Sequence, residues 1–151
     1  MGSARQKAVK AYEAIFGKLD LDSFDNRLKF QKTTYLLKIF GIVDLEELTF
    51  TWYKRGPFCF ELGGIYTSEI ARNTRLSNEE NVNVENNKKK IIELISDTSK
   101  AELFSSIIYL HKDEKLSRKD IEKRISITKP WYKKEEVDST LDKAMKLLPN
   151  N

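Results

Sequence analysis

Apolar residues recur at steps of three and four along most of this chain, the spacing that gathers them on one face of an α-helix. Ala8, Tyr12, Ile15 and Phe16 follow it in the first segment and Gly17 supplies a stop, so a helix is predicted over Ala4–Phe16. A short link, Lys18–Phe24, leads to Asp25 or Asn26 as the N-cap of a second helix. That helix reaches about Phe40, with Leu28, Tyr35, Leu36 and Ile39 on its inner stripe and Gly41 closing it. The pattern then changes. Leu48-Thr49-Phe50-Thr51-Trp52-Tyr53 alternates β-branched and aromatic residues, which predicts a strand ended by Gly56-Pro57.

Helical spacing returns at Leu62, Ile65, Tyr66 and Ile70 for a third helix from about Phe60. Asn73–Asn87 is polar, rich in asparagine and without period, and reads as a mobile loop with a short strand at Val82–Val84. Four more helices follow. One spans Asn87–Ser96, a second is capped by Ser99, and a third starts at Ser117 with a capping-box-like spacing. After the break at Pro130 the last runs from Lys134 to Leu148, with Val137, Leu141, Met145 and Leu148 inward. The expected fold is mostly α (an α+β domain): a single domain over 1–151 with about seven helices and a small two- or three-stranded sheet. Its core motif lies at 25–70 and a C-terminal helical part at 87–148.

Composition narrows the class. With 40% hydrophobic residues in 151, the chain can build a full core, and 6 glycines with 3 prolines are too few for a turn-rich β-sandwich. No apolar run approaches the roughly 18 residues of a membrane span, and Met1–Val9 lacks the apolar stretch of a signal peptide. One cysteine excludes an internal disulfide, so the expectation is a cytoplasmic protein with no membrane partner. The formal charge of +4 is uneven: residues 1–40 carry 8 basic against 4 acidic side chains, residues 41–80 carry 4 against 7.

Little in the chain is suited to catalysis. His111, the lone histidine, falls near a predicted helix end beside Lys112, where a cation complements the helix dipole. Cys59 lies between Phe58 and Phe60 and reads as a small buried apolar residue. One His and one Cys cannot make a structural zinc site. A metal-dependent nuclease would want a carboxylate where Trp52 precedes Tyr53 and Lys54. Gly63-Gly64 lacks the lysine and hydroxyl of a phosphate loop. No catalytic residue, metal or cofactor is therefore expected.

Nucleic acid is a second reading. The run Ser117–Ile125, a link, then Lys134–Leu148 outlines a helix-turn-helix in which Arg118, Lys119, Lys133 and Lys134 would meet phosphates. Against it stand Glu135, Glu136 and Asp138 at the start of the second helix, and a link of about nine residues where the motif uses three or four.

A more specific pattern lies upstream. Arg27-Leu28-Lys29-Phe30-Gln31-Lys32-Thr33-Thr34-Tyr35-Leu36-Leu37 is followed by Phe50-Thr51-Trp52-Tyr53-Lys54-Arg55-Gly56-Pro57-Phe58-Cys59-Phe60-Glu61-Leu62. The combination resembles YwgA-type proteins and, more distantly, the Panacea (SocA-like) antitoxin domain, over about Asp25–Ile70. Cys59 departs from the small polar residue expected there. The resemblance implies a non-catalytic module that binds and controls a partner protein, such as a toxin encoded nearby. Lys29 and Lys32 share a helix face, and Glu61 stands near a helix start within reach of Lys32, Lys54 or Arg55. Tyr53, Lys54, Arg55 and Phe58 would then form an aromatic-basic lip around the Gly56-Pro57 turn, a composition typical of contact hot spots.

Overall fold

Five of the seven α-helices among the described residues start on a serine or aspartate cap. In the computed structural model, which describes residues 3–148, Ser3 opens α1 (Ala4–Phe16) with a reciprocal capping box to Gln6. Ser23, ahead of the expected Asp25 or Asn26, opens α2 (Phe24–Ile39). From Phe30 to Leu37 every residue of α2 is buried, so the anticipated one-sided stripe is a helix enclosed on all sides, including Gln31, Lys32, Thr33 and Thr34.

The strand is shorter and the turn is placed differently from expectation. β1 (Thr51–Tyr53) pairs antiparallel with β2 (Gly56–Phe58) in a two-stranded sheet, so Gly56-Pro57 begins the returning strand instead of ending the structure. Gly56 takes φ +95°, which lets the two-residue tip Lys54-Arg55 turn back sharply. Pro57 stands opposite Trp52 in a sheet of only two strands, the edge setting in which proline is tolerated.

The predicted third helix is broken. Only Phe60–Gly63 forms α3, and after Thr67 a single 3₁₀ turn covers Ser68–Ala71, leaving Tyr66 exposed. The expected loop and strand at 73–87 are also absent: α4 runs without interruption over Asn78–Ile95. Its start is a capping box between Ser77 and Glu80, and Val84, Ile91, Leu94 and Ile95 face the core. Glu80 also accepts from the Asp44 amide at 2.9 Å and pairs with Lys7 at 2.6 Å, tying α4 to α1 and to the segment after α2. The asparagines weaken intrinsic helix propensity but are used: Asn83 Nδ2 donates to the Ile42 carbonyl and Asn87 Nδ2 to that of Asn83.

Asp97, not Ser99, caps α5 (Thr98–Lys112). This helix is the axis of the molecule, buried from Ala101 through Ile108 and again at Leu110, and it packs on α2, α4, β2 and the last two helices. Those are α6 (Arg118–Thr128), capped by Ser117, and α7 (Lys134–Leu147), which buries Val137, Leu141 and Ala144. Among the described residues, seven α-helices and one hairpin thus share a single hydrophobic cluster reaching from Ala4 to Leu148. Among the described residues no helix is long and apolar enough to cross a membrane.

Candidate functional site

The two halves of the Asp25–Ile70 motif meet side chain to backbone. Gln31 on α2 uses its amide as a peptide mimic: Nε2 donates to the Cys59 carbonyl and Oε1 accepts from the Cys59 amide, both at 2.9 Å. One position further along the helix, Lys32 Nζ donates to the Pro57 carbonyl at 2.7 Å. Adjacent residues of α2 therefore bond β2 and the start of α3 to the core.

Lys32 is 1% exposed. Burial in this setting disfavours its charged form, and its pKa falls to about 7; Glu102 works against that shift and Lys129 adds to it. These groups form a buried polar cluster under the hairpin tip. Lys129, the residue that ends α6, bonds Glu102 Oε2 at 2.7 Å and the Lys54 carbonyl at 3.4 Å, and its ammonium lies 5.5 Å from the Trp52 ring centroid and 5.7 Å from that of Trp131. Arg55 completes the cluster from the surface, 3.6 Å from Glu102 Oε1. Ser106 Oγ is buried beside it without a hydrogen-bond partner in the structure.

Above this cluster the hairpin and the start of α3 present aromatic rings. Tyr53, Phe58 and Phe60 pack with centroids 4.9 to 5.8 Å apart, and Arg55 lies over Phe24 at 5.5 Å. Phe24, Tyr53 and Phe60 are 52%, 46% and 64% exposed, an unusual degree for large apolar side chains gathered on one surface. Behind the lip, α2, the hairpin and α3 enclose a pocket of about 460 Å³.

The residues expected at this site divide. Tyr53, Lys54 and Arg55 are exposed and Phe58 is half-buried, on the lip as expected. Gly56 and Pro57 are buried and shape it. Lys32 is a correction: it is an internal strut that a partner's surface does not reach. Lys29 is half-buried with its ammonium over the Phe16 ring at 4.0 Å, so it fastens α2 to α1. Glu61 accepts from Cys59 Sγ at 3.4 Å, while Lys32 and Arg55 are engaged by the Pro57 carbonyl and Glu102. Burial raises the Cys59 pKa, and the Glu61 contact adds to that, so the thiol is held away from its nucleophilic form. His111 lies in the last turn of α5 with Nδ1 3.3 Å from the Leu116 carbonyl.

Sequence reasoning passed over Gln31, Phe24, Phe60, Glu102 and Lys129. Gln31 stands inside the Arg27–Leu37 half of the motif, and a lone glutamate within the run Ala101–Ile108 was a signal for Glu102; nothing local marked Lys129. At the second candidate site, Arg118 is occupied by Asp142 at 2.7 Å, Glu122 at 3.3 Å and the Asp138 carbonyl at 3.3 Å, and the Asp142 bond leads in raising its pKa. Lys119 and Lys134 line a shallow groove between α6 and α7 together with Glu122 and Asp138, and Lys133 is exposed at the start of α7. The link there is 129–133, shorter than expected, because α6 continues to Thr128. No family model, curated protein or solved structure matches this chain.

Proposed function

We propose that this chain is a non-catalytic regulatory module that binds and controls a partner protein through the lip formed by Phe24, Tyr53, Arg55, Phe58 and Phe60. The observation that carries the reading is a cluster of aromatic rings, Tyr53 and Phe58 on the hairpin with Phe60 at the start of α3 and Phe24 at the start of α2, around a hairpin that Gln31 and Lys32 bond to the core. A rigid aromatic surface with an arginine beside it loses little conformational freedom on binding, and such residues dominate interface energetics. The YwgA-type or Panacea-like resemblance supports the same role and points to a toxin encoded nearby as the partner. Co-expression with the neighbouring open reading frame, followed by size-exclusion chromatography, tests it. A complex is expected from the parent chain, weakened at least tenfold by Tyr53→Ala combined with Phe60→Ala. Recovery of free protein alone would remove the proposal.

Binding of duplex DNA through α5, α6 and α7 is the second reading, favoured by the five-residue link 129–133 that replaces the longer one expected. The acidic first turn of α7, with Glu135 and Glu136, opposes it. A gel shift at low salt that vanishes on Lys133→Gln/Lys134→Gln would favour DNA; no shift at micromolar protein would exclude it.

A further inference from the structure

The pocket behind the lip has a chemical bias that the lip does not explain. Its wall is apolar, built chiefly by Leu21, Leu28, Phe58, Leu62 and Ile65. Every charged residue lining it is basic: Arg27, Lys32, Lys54 and Arg55. The acid paired with Arg55 is Glu102, which is 3% exposed and already bonded to Lys129. The two arginines are held in place at the pocket, Arg27 by donating Nη1 to the Leu21 carbonyl at 3.0 Å and Arg55 over the Phe24 ring. Lys32 sits at the buried end, where its Nζ donates to the Pro57 carbonyl.

From this we infer that the pocket is a binding site for an apolar carboxylate, with the hydrocarbon body against the leucines and Phe58 and the carboxylate at Arg27 and Arg55. The volume of about 460 Å³ is within the range of small-ligand sites, roughly 300–1,000 Å³. Planar guanidinium groups match a carboxylate by paired N–H···O bonds, whereas a cation entering this pocket would meet only like charge. A neutral alkyl chain gains the apolar contact alone. The carboxylate can belong to a free acid or to the apolar C-terminal residue of a polypeptide, and the probes separate these sources. The inference stands independently of the protein-partner reading: one is read by ligand titration of the isolated chain, the other by complex formation, and either can fail alone.

The test is a ¹H–¹⁵N correlation titration of the full chain with octanoate, octan-1-ol and octylammonium, and with acetyl-Gly-Leu-Phe as free acid and as amide. A carboxylate probe is expected to bind at least tenfold more tightly than its neutral counterpart, with shifts at residues 24–32, 53–58 and 62–65, and octylammonium is expected not to bind. If octanoate shows the preference, the ligand is a free acid; if only the peptide acid does, it is a chain terminus. Arg27→Gln/Arg55→Gln, checked for folding by circular dichroism, is expected to abolish the preference while leaving weak octan-1-ol binding. The inference is overturned if neither carboxylate outbinds its neutral counterpart, if the shifts fall elsewhere, or if the double variant keeps the preference.

Discussion

Lys32→Met is the sharpest probe of the buried cluster. Methionine keeps most of the length of the side chain and removes the ammonium. In the folded protein Lys32 titrates near 7, against an ordinary 10.5. Lowering a pKa by one corresponds to about 1.4 kcal/mol, so holding the charged form inside costs roughly 5 kcal/mol below pH 7. The sign follows from proton counting. Between pH 7 and 10.5 the unfolded chain keeps a proton on Lys32 that the folded chain has released, so this group makes stability rise with pH across that window. From pH 7 to 9 the rise is about 2 kcal/mol. Urea unfolding of parent and variant at pH 6, 7, 8 and 9 isolates it, because contributions common to both, such as those of Tyr12 and Tyr35, cancel in the difference. The variant should be at least as stable as the parent at pH 6, with its advantage shrinking by about 2 kcal/mol between pH 7 and 9. Loss of the bond to the Pro57 carbonyl lowers both ends alike. Parallel stability profiles would show that Lys32 carries no depressed pKa and that the account of the cluster is wrong.

Three further outcomes are expected. Glu102→Gln strips Lys129 of its 2.7 Å counter-charge and should destabilise by roughly 3–5 kcal/mol in chemical denaturation, with Glu102→Gln/Lys129→Met recovering much of the loss. Gly56→Ala should destabilise by about 2–4 kcal/mol, since φ is +95° and the new Cβ would lie 2.3 Å from Ser106 Oγ; adding Ser106→Ala should relieve only the steric part. Tyr35→Ala should cost about 3–5 kcal/mol, because the residue is 1% exposed and its hydroxyl donates to Asp113 at 2.7 Å, while half-buried Trp52→Ala should cost less. Equal losses at Tyr35 and Trp52 in thermal unfolding would contradict the burial difference.

What the sequence made legible tracks how local each signal was. α1, α2, α6 and α7 were anticipated because their periodic apolar positions, and for α6 the Ser117 cap, lie within a few turns of the residues they organise. The second half of α4 was anticipated as a helix from Asn87, but its first half was hidden because the asparagines mimic a loop locally, while Asn83 bonds the Ile42 carbonyl and Glu80 bonds Asp44 and Lys7, all distant in the chain. The hairpin was half legible: the aromatic strand was visible, but Gly56-Pro57 looks like a stop unless the return strand is already known. At the site, exposure was the missing quantity. Lys32 and Arg55 are both cations in the motif, and only the packing of α5 and β2 against α2 decides that one is internal and the other faces solvent.

The Gln31-Lys32 pair gives that division a physical reason. A hairpin of two three-residue strands is too small to hold its own shape in water. Here its returning strand is fixed by donors and acceptors from α2, and its tip by Lys129 from the end of α6 and Glu102 from α5. These polar side chains must be buried to reach backbone groups of the hairpin, and the cost appears as the depressed pKa of Lys32. A purely apolar replacement would stabilise the core while leaving the Pro57 carbonyl without a partner and the hairpin free to shift. Rigidity of the lip, more than stability of the fold, is what the buried cluster supplies. Lys32→Met should therefore loosen Tyr53–Phe58 in hydrogen exchange even where it raises the global unfolding free energy.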